Sequence, residues 1–200
     1  MKIMKSIPVQ IPDDRIYMRL GRYKHFAEVS PSQQERFLNV IADARSKCHC
    51  AAAWEVVPIL DNNGDAVTIE GGDVFASAPL AELLKDCPLV LLLAVTAGQE
   101  ICDAAKNASA ADTAIYDAVG SEIADGAAAW IQDYVRQQLR PRGLAVAERR
   151  FSPGYGGLSL AAQEIFFRRL KLSELGITLT PACFMVPEKS VTALAGVTHS

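Results

Sequence analysis

Between Glu148 and Gly157 the chain reads ERRFSPGYGG, placing two arginines, a Ser-Pro-Gly turn and a tyrosine within ten positions. Arg150 can grip a carboxylate through two parallel hydrogen bonds. Tyr155 supplies an aromatic plane with a polar tip. Pro153 and Gly154 suit the central pair of a type II turn, in which glycine takes the positive φ at no steric cost, so backbone polar groups at Ser152 and Gly154 stand beside both side chains. Such a cluster suits an amino-acid-like ligand with an adjoining ring system. The competing reading is a structural turn whose arginine pairs with a surface acid. A second candidate is Asp125, a single carboxylate among Ala118, Ser121, Ala128 and Ala129 on one face of a long helical pattern. A ligand can lie close against that face, and so can another helix or strand. Cys48-His49-Cys50 offers soft ligands, but no second Cys or His pair follows at a workable distance, and the triplet reads as the end of a helix.

These groups need elements to hold them. Ser30-Pro31-Ser32-Gln33 predicts a capped helix running to about Lys47. Residues 53–60 and 66–70 flank Asp61-Asn62-Asn63-Gly64 as a β-hairpin. A short helix opens at Ser77 and stops before Pro88, and the apolar run Pro88 to Ala97 predicts a buried strand. Thr96-Ala97-Gly98 leads into a helix over 100–106, an arrangement that can bind anions. From Ala111 to Leu139, apolar residues at 115, 119, 123, 127, 131 and 135 mark the longest helix. Residues 144–149 form a strand leading into the arginine motif, and 159–170 an amphipathic helix. Ile177–Val186 and Val191–Val197 are expected to pair as a closing hairpin, with Lys189 and Ser190 in its solvated turn. Trp54 and Trp130 are expected in or at the edge of the core, and His25 and His199 at the surface.

The elements mix without βαβ alternation, so the fold class is α+β, a mixed or antiparallel twisted sheet with helices packed on it. No repeat or low-complexity linker appears, and one domain over 1–200 is expected, its first 30 or so residues an extension. With 200 residues, 50% hydrophobic and 22% charged, the chain has enough apolar surface for a sizeable core. A net charge of −3 without clustered Lys and Arg argues against nucleic acid. The N-terminus shows no export signal, the longest apolar run is too short to span a membrane, and five scattered cysteines fit reduced thiols, all pointing to the cytoplasm.

Arg150-Phe151-Ser152-Pro153-Gly154-Tyr155 resembles the Arg-Pro-x-Pro-Gly-Tyr signature of the activation domain of cobalamin-dependent methionine synthase. The closing segment GITLTPACFMVPEKSVTALAGV resembles that family's Leu-Thr-x-Ser-x-x-Met-x-Pro-x-x-Ser-Val stretch, and the turn at Thr96–Gly98 and the helix carrying Asp125 fall in the family's order. The likeness covers most of the chain from about residue 10 and is to the small freestanding members.

The resemblance implies an S-adenosylmethionine-binding accessory protein for the reductive reactivation of a separate methionine synthase. Its partner would hold the cobalamin, a flavodoxin or ferredoxin-type donor would supply the electron, and the adenosylmethionine methyl group would trap the reduced cobalt. Such a domain positions reactants and has no complete active site of its own. Carried across, Arg150 would hold the methionine carboxylate, the backbone around Ser152 and Gly154 would contact the ligand, and Tyr155 would sit between ligand and corrin. Asp125 matches the family's helix glutamate, one methylene shorter. Phe151 and Ser152 replace the signature's proline and alanine and change the floor of the site. The sequence stops at Ser200, ahead of a stretch that supplies a further tyrosine in longer domains, which implies a pocket that is weak or completed by a partner. The alternatives are a docking module for a corrinoid protein that binds no adenosylmethionine, and service to another corrinoid methyltransferase.

Overall fold

β5 (Leu89–Thr96) is the strand on which the fold is built. Its apolar run has no polar side because both faces of the sheet are covered. Leu91, Leu93 and Val95 enter one core layer, while Val90, Leu92 and Ala94 enter the other. The computed structural model describes residues 1–21 and 30–199. β2 (Ala51–Asn62) pairs antiparallel along one edge of β5, and β9 (Ser190–His199) along the other. β2 is long enough for two partners on its free edge: β1 (Lys2–Met4) takes 52–54, and β3 (Ala66–Ile69) takes 59–62 across a bulge between Ile59 and Asp61. β4 (Val74–Ala76) and β6 (Leu144–Val146) close the path as β4-β3-β2-β5-β9-β6. The α+β class with an antiparallel sheet is thus the observed one.

The helices form two layers. α1 (Asp13–Arg19), α2 (Pro31–Ser46), α4 (Gln99–Asn107) and α5 (Ala110–Leu139) cover one face, and α3 (Ala78–Leu83) and α6 (Gln163–Arg169) the other. α2 starts as its sequence predicts, with Ser30 and Gln33 forming a reciprocal capping box and Pro31 in the first turn. The α5 stripe at 115, 119, 123, 127, 131 and 135 is buried throughout. Each such isoleucine or valine is worth about 1.5–3 kcal/mol in transfer free energy.

Four expectations change. The predicted closing hairpin does not form: β7 (Thr178–Leu179) and β8 (Met185–Val186) pair with each other in a separate two-stranded sheet, and β9 joins the central sheet. Its small residues Ala193 and Ala195 fit a strand buried on both faces, which a solvated hairpin would not require. Lys189 is correspondingly not in a solvated turn, since its Nζ reaches Asp117 and Ser121 on α5, while Ser190 is bonded to Thr96. The expected strand at 144–149 ends at Val146, and the expected helix at 159–170 is a tight turn over 160–162 followed by α6. The first residues carry core side chains as well: Ile7, Ile11, Ile16 and Tyr17 belong to the cluster under α5. Trp54 is buried edge-on against Tyr134, on which Trp130 stacks. His199 is exposed, and His25 lies outside the described residues.

Candidate functional site

The segment after β6 is held at three points. Phe151 exchanges two backbone hydrogen bonds with Leu194 of β9, at 2.9 and 2.8 Å. Ser152, Pro153, Gly154 and Tyr155 then turn, with Tyr155 N–H donating to the Ser152 carbonyl at 3.3 Å and Gly154 at φ +90°, the geometry expected of a type II turn. Gly154 N–H donates to Leu158 and Leu158 N–H to Tyr155. The Gly154 N–H is therefore committed within the loop. Ser77, the N-cap of α3, donates its hydroxyl to the Gly156 carbonyl at 2.8 Å and ties the loop to the α3 layer, in which Phe151 and Leu158 also pack. Tyr155 stands at the tip, 73% exposed.

Arg150 lies half-buried between this loop and α5. Its Nη1 donates to Oε1 of Gln132 at 2.6 Å, and among the described residues no carboxylate bonds it. Burial pushes its guanidinium below the ordinary value, while the charges of Asp125 and Asp133 pull it upward. The folded chain thus pays to desolvate a cation and neutralises it only at a distance.

Asp125 is near enough for its charge to be felt at Arg150, but its direct partner is another arginine. Arg19 of α1 donates Nη2 to Asp125 at 2.9 Å and Nε to Glu122 at 2.6 Å. The hydrogen bond to Glu122 holds the Arg19 guanidinium above its usual value, helped by the charges of Glu122 and Asp125. Asp125 is therefore not an unpaired acid facing solvent, although its side chain remains 51% exposed.

Gln132 and Arg19 were missed in the sequence. Gln132 had a signal: it continues the small-residue face of Asp125 and Ala128, seven and four residues on. Arg19 had none, because its partners lie more than a hundred positions away.

The other candidates hold their own partners. Cys48 bonds the Ala44 carbonyl, and His49 pairs with Glu100. Burial lifts the thiols of Cys48 and Cys50 to about 12 and about 11. A shallow groove of about 440 Å³ between α2 and α5 contains Arg36, Asp43 and Tyr116, but Arg36 is committed to Asp112 and Tyr116 to Asp43.

No known family profile matches this chain, and no curated protein does. A solved structure of the MetH reactivation domain bound to AdoHcy does match, with a TM-score of 0.65 over 92% of this chain and 73% of that one, at 16% sequence identity. The fold is that of the MetH reactivation domain. The likeness is structural, and it agrees with the family resemblance carried by Arg150–Tyr155. Within this reactivation-domain fold, the Arg150 loop, the Gln132 and Asp125 face of α5, and α1 are the parts that come together. No helix among the described residues is long and apolar enough to cross a membrane.

Proposed function

We propose that this protein binds S-adenosylmethionine and presents its methyl group to a corrinoid held by a separate methionine synthase, restoring the cofactor after oxidation. The observation that carries this reading is Arg150, a half-buried guanidinium whose side-chain partner is a neutral amide. A ligand carboxylate would supply the missing counter-charge through two parallel bonds. Two further features support it. Tyr155 exposes an aromatic plane on the same loop, five residues on from Arg150, and the solved domain of the same fold holds AdoHcy, which is what adenosylmethionine becomes when its methyl group leaves.

In this reading the corrinoid is a substrate carried by the partner. A flavodoxin or ferredoxin-type protein gives one electron to the Co(II) centre. The reduced cobalt then takes the methyl group as the carbon–sulfur bond of the sulfonium breaks, and the bond's electron pair stays on sulfur. This chain contributes position: Arg150 fixes the amino-acid end of the donor, and the Ser152–Tyr155 turn sets the depth at which the methyl group sits.

A second reading has one observation in its favour. Arg19 already occupies Asp125, as it would in a docking module that binds no adenosylmethionine of its own. Calorimetric titration with S-adenosylmethionine, beside folded Arg150→Ala, separates the two. Binding that falls at least tenfold in the variant, the loss of about 1.5–3 kcal/mol expected for a charged hydrogen bond, supports the adenosylmethionine reading. Affinity equal in both proteins, or absent from the wild type at millimolar ligand, sinks it.

A further inference from the structure

Gln132 is among the few polar side chains in the core, 2% exposed, and both ends of its amide are engaged. Nε2 donates to the carbonyl of Ala147 and, at 3.2 Å, to that of Glu148, while Oε1 accepts from Arg150 Nη1 at 2.6 Å. One amide thus spans the chain leaving β6 and the arginine three residues further on. The donor and acceptor ends cannot be exchanged, because the two carbonyls only accept and the guanidinium only donates. A carboxylate at this position would neutralise Arg150. An apolar side chain would strand two carbonyls and release the arginine.

From this arrangement we infer that Gln132 is the positioning residue of the ligand site, holding the Arg150 guanidinium in one orientation while leaving its charge for an incoming carboxylate. The inference rests on Arg150 as the carboxylate clamp. It assigns the preorganisation of that clamp to a neutral group, so the ligand's carboxylate meets an arginine already aimed and not already paired.

Two near-isosteric variants test it, with S-adenosylhomocysteine as the probe. In Gln132→Glu the new carboxyl faces the two carbonyls and Arg150. Arg136 and Asp133 lie on the same helix, Asp125 lies two turns back, and Glu148 lies in the segment that leaves β6. Ionised, the new carboxyl pairs with Arg150; protonated, it reproduces the amide. Affinity should be about tenfold or more below wild type near pH 8, where a carboxyl beside a guanidinium is ionised. Gln132→Met should also bind weakly. A Gln132→Glu protein that binds like wild type near pH 8 overturns the inference.

Guanidinium NMR without ligand supplies a readout independent of binding. The Arg150 Nη signals should be resolved by slow rotation in the wild type and averaged in Gln132→Met. Signals averaged in the wild type, or equally slow in the variant, also overturn it. A wild-type protein with the locked signal but no affinity for the probe sinks the ligand reading and leaves the hold of Gln132 on Arg150 standing.

Discussion

Gly156 turns the loop back over the ring of Phe151 at φ +53°, and a Cβ there would fall well inside contact distance of that ring. Phe151 is pinned to β9 through its backbone, so its ring has little freedom to withdraw. Gly156→Ala should cost on the order of 1–3 kcal/mol, typical of overpacking a fixed site. Urea denaturation checks this, and a variant as stable as wild type would show that the loop adapts and does not hold Tyr155 in place. The turn itself was legible because Pro153-Gly154 is a local signal that needs no tertiary partner. The environment of Arg150 was not. Its guanidinium could equally have met a surface acid, and only the tertiary fold brings the amide of Gln132 against it instead.

Helices and strands with strong local grammar could be read closely. The α2 capping box, the turn before β3, β5 and the thirty-residue α5 are where their sequences place them. Strand partnership could not be read, because β9 pairs with β5 across about a hundred residues and nothing within 190–199 specifies that edge. Contacts between helices were equally silent. Tyr116 on α5 donates its hydroxyl to Asp43 on α2, and this bond, with burial and the charges of Asp43 and Asp112, lifts the phenol to about 12. Its ordinary value is 10.0, so the native state holds the proton more tightly than the unfolded chain. The stabilisation is complete below pH 10 and drains away as the pH climbs toward 12. Tyr116→Phe should therefore lose stability less steeply over that window than wild type. Cys48 and Cys50 contribute alkaline losses of the same sign to both proteins, so the difference between the two curves isolates Tyr116. Denaturant midpoints measured across the window decide it, and parallel curves would refute the linkage.

Taken whole, the molecule joins its first twenty residues to its longest helix. Ile16 is fully buried against the α5 layer, and Ile16→Ala should cost about 2–5 kcal/mol, read as a fall in denaturant midpoint. An unchanged midpoint would show that α1 is merely laid on the surface. The same docking brings Arg19 over Glu122 and Asp125, where, in the proposed reading, it would compete with a cationic ligand group for Asp125. Arg19→Ala should free Asp125 and tighten S-adenosylmethionine binding about two- to fivefold, the scale of a largely exposed ion pair. Its sulfonium charge should make that gain larger than for S-adenosylhomocysteine, and added salt should shrink it. Paired calorimetric titrations at low and high salt read all three effects. If Arg19→Ala instead weakens both ligands, Arg19 is a contact, and α1 is a wall of the site and not its competitor. The Asp125 pairing would then no longer favour a docking module, since an arginine that holds the ligand cannot also be the group that keeps it out.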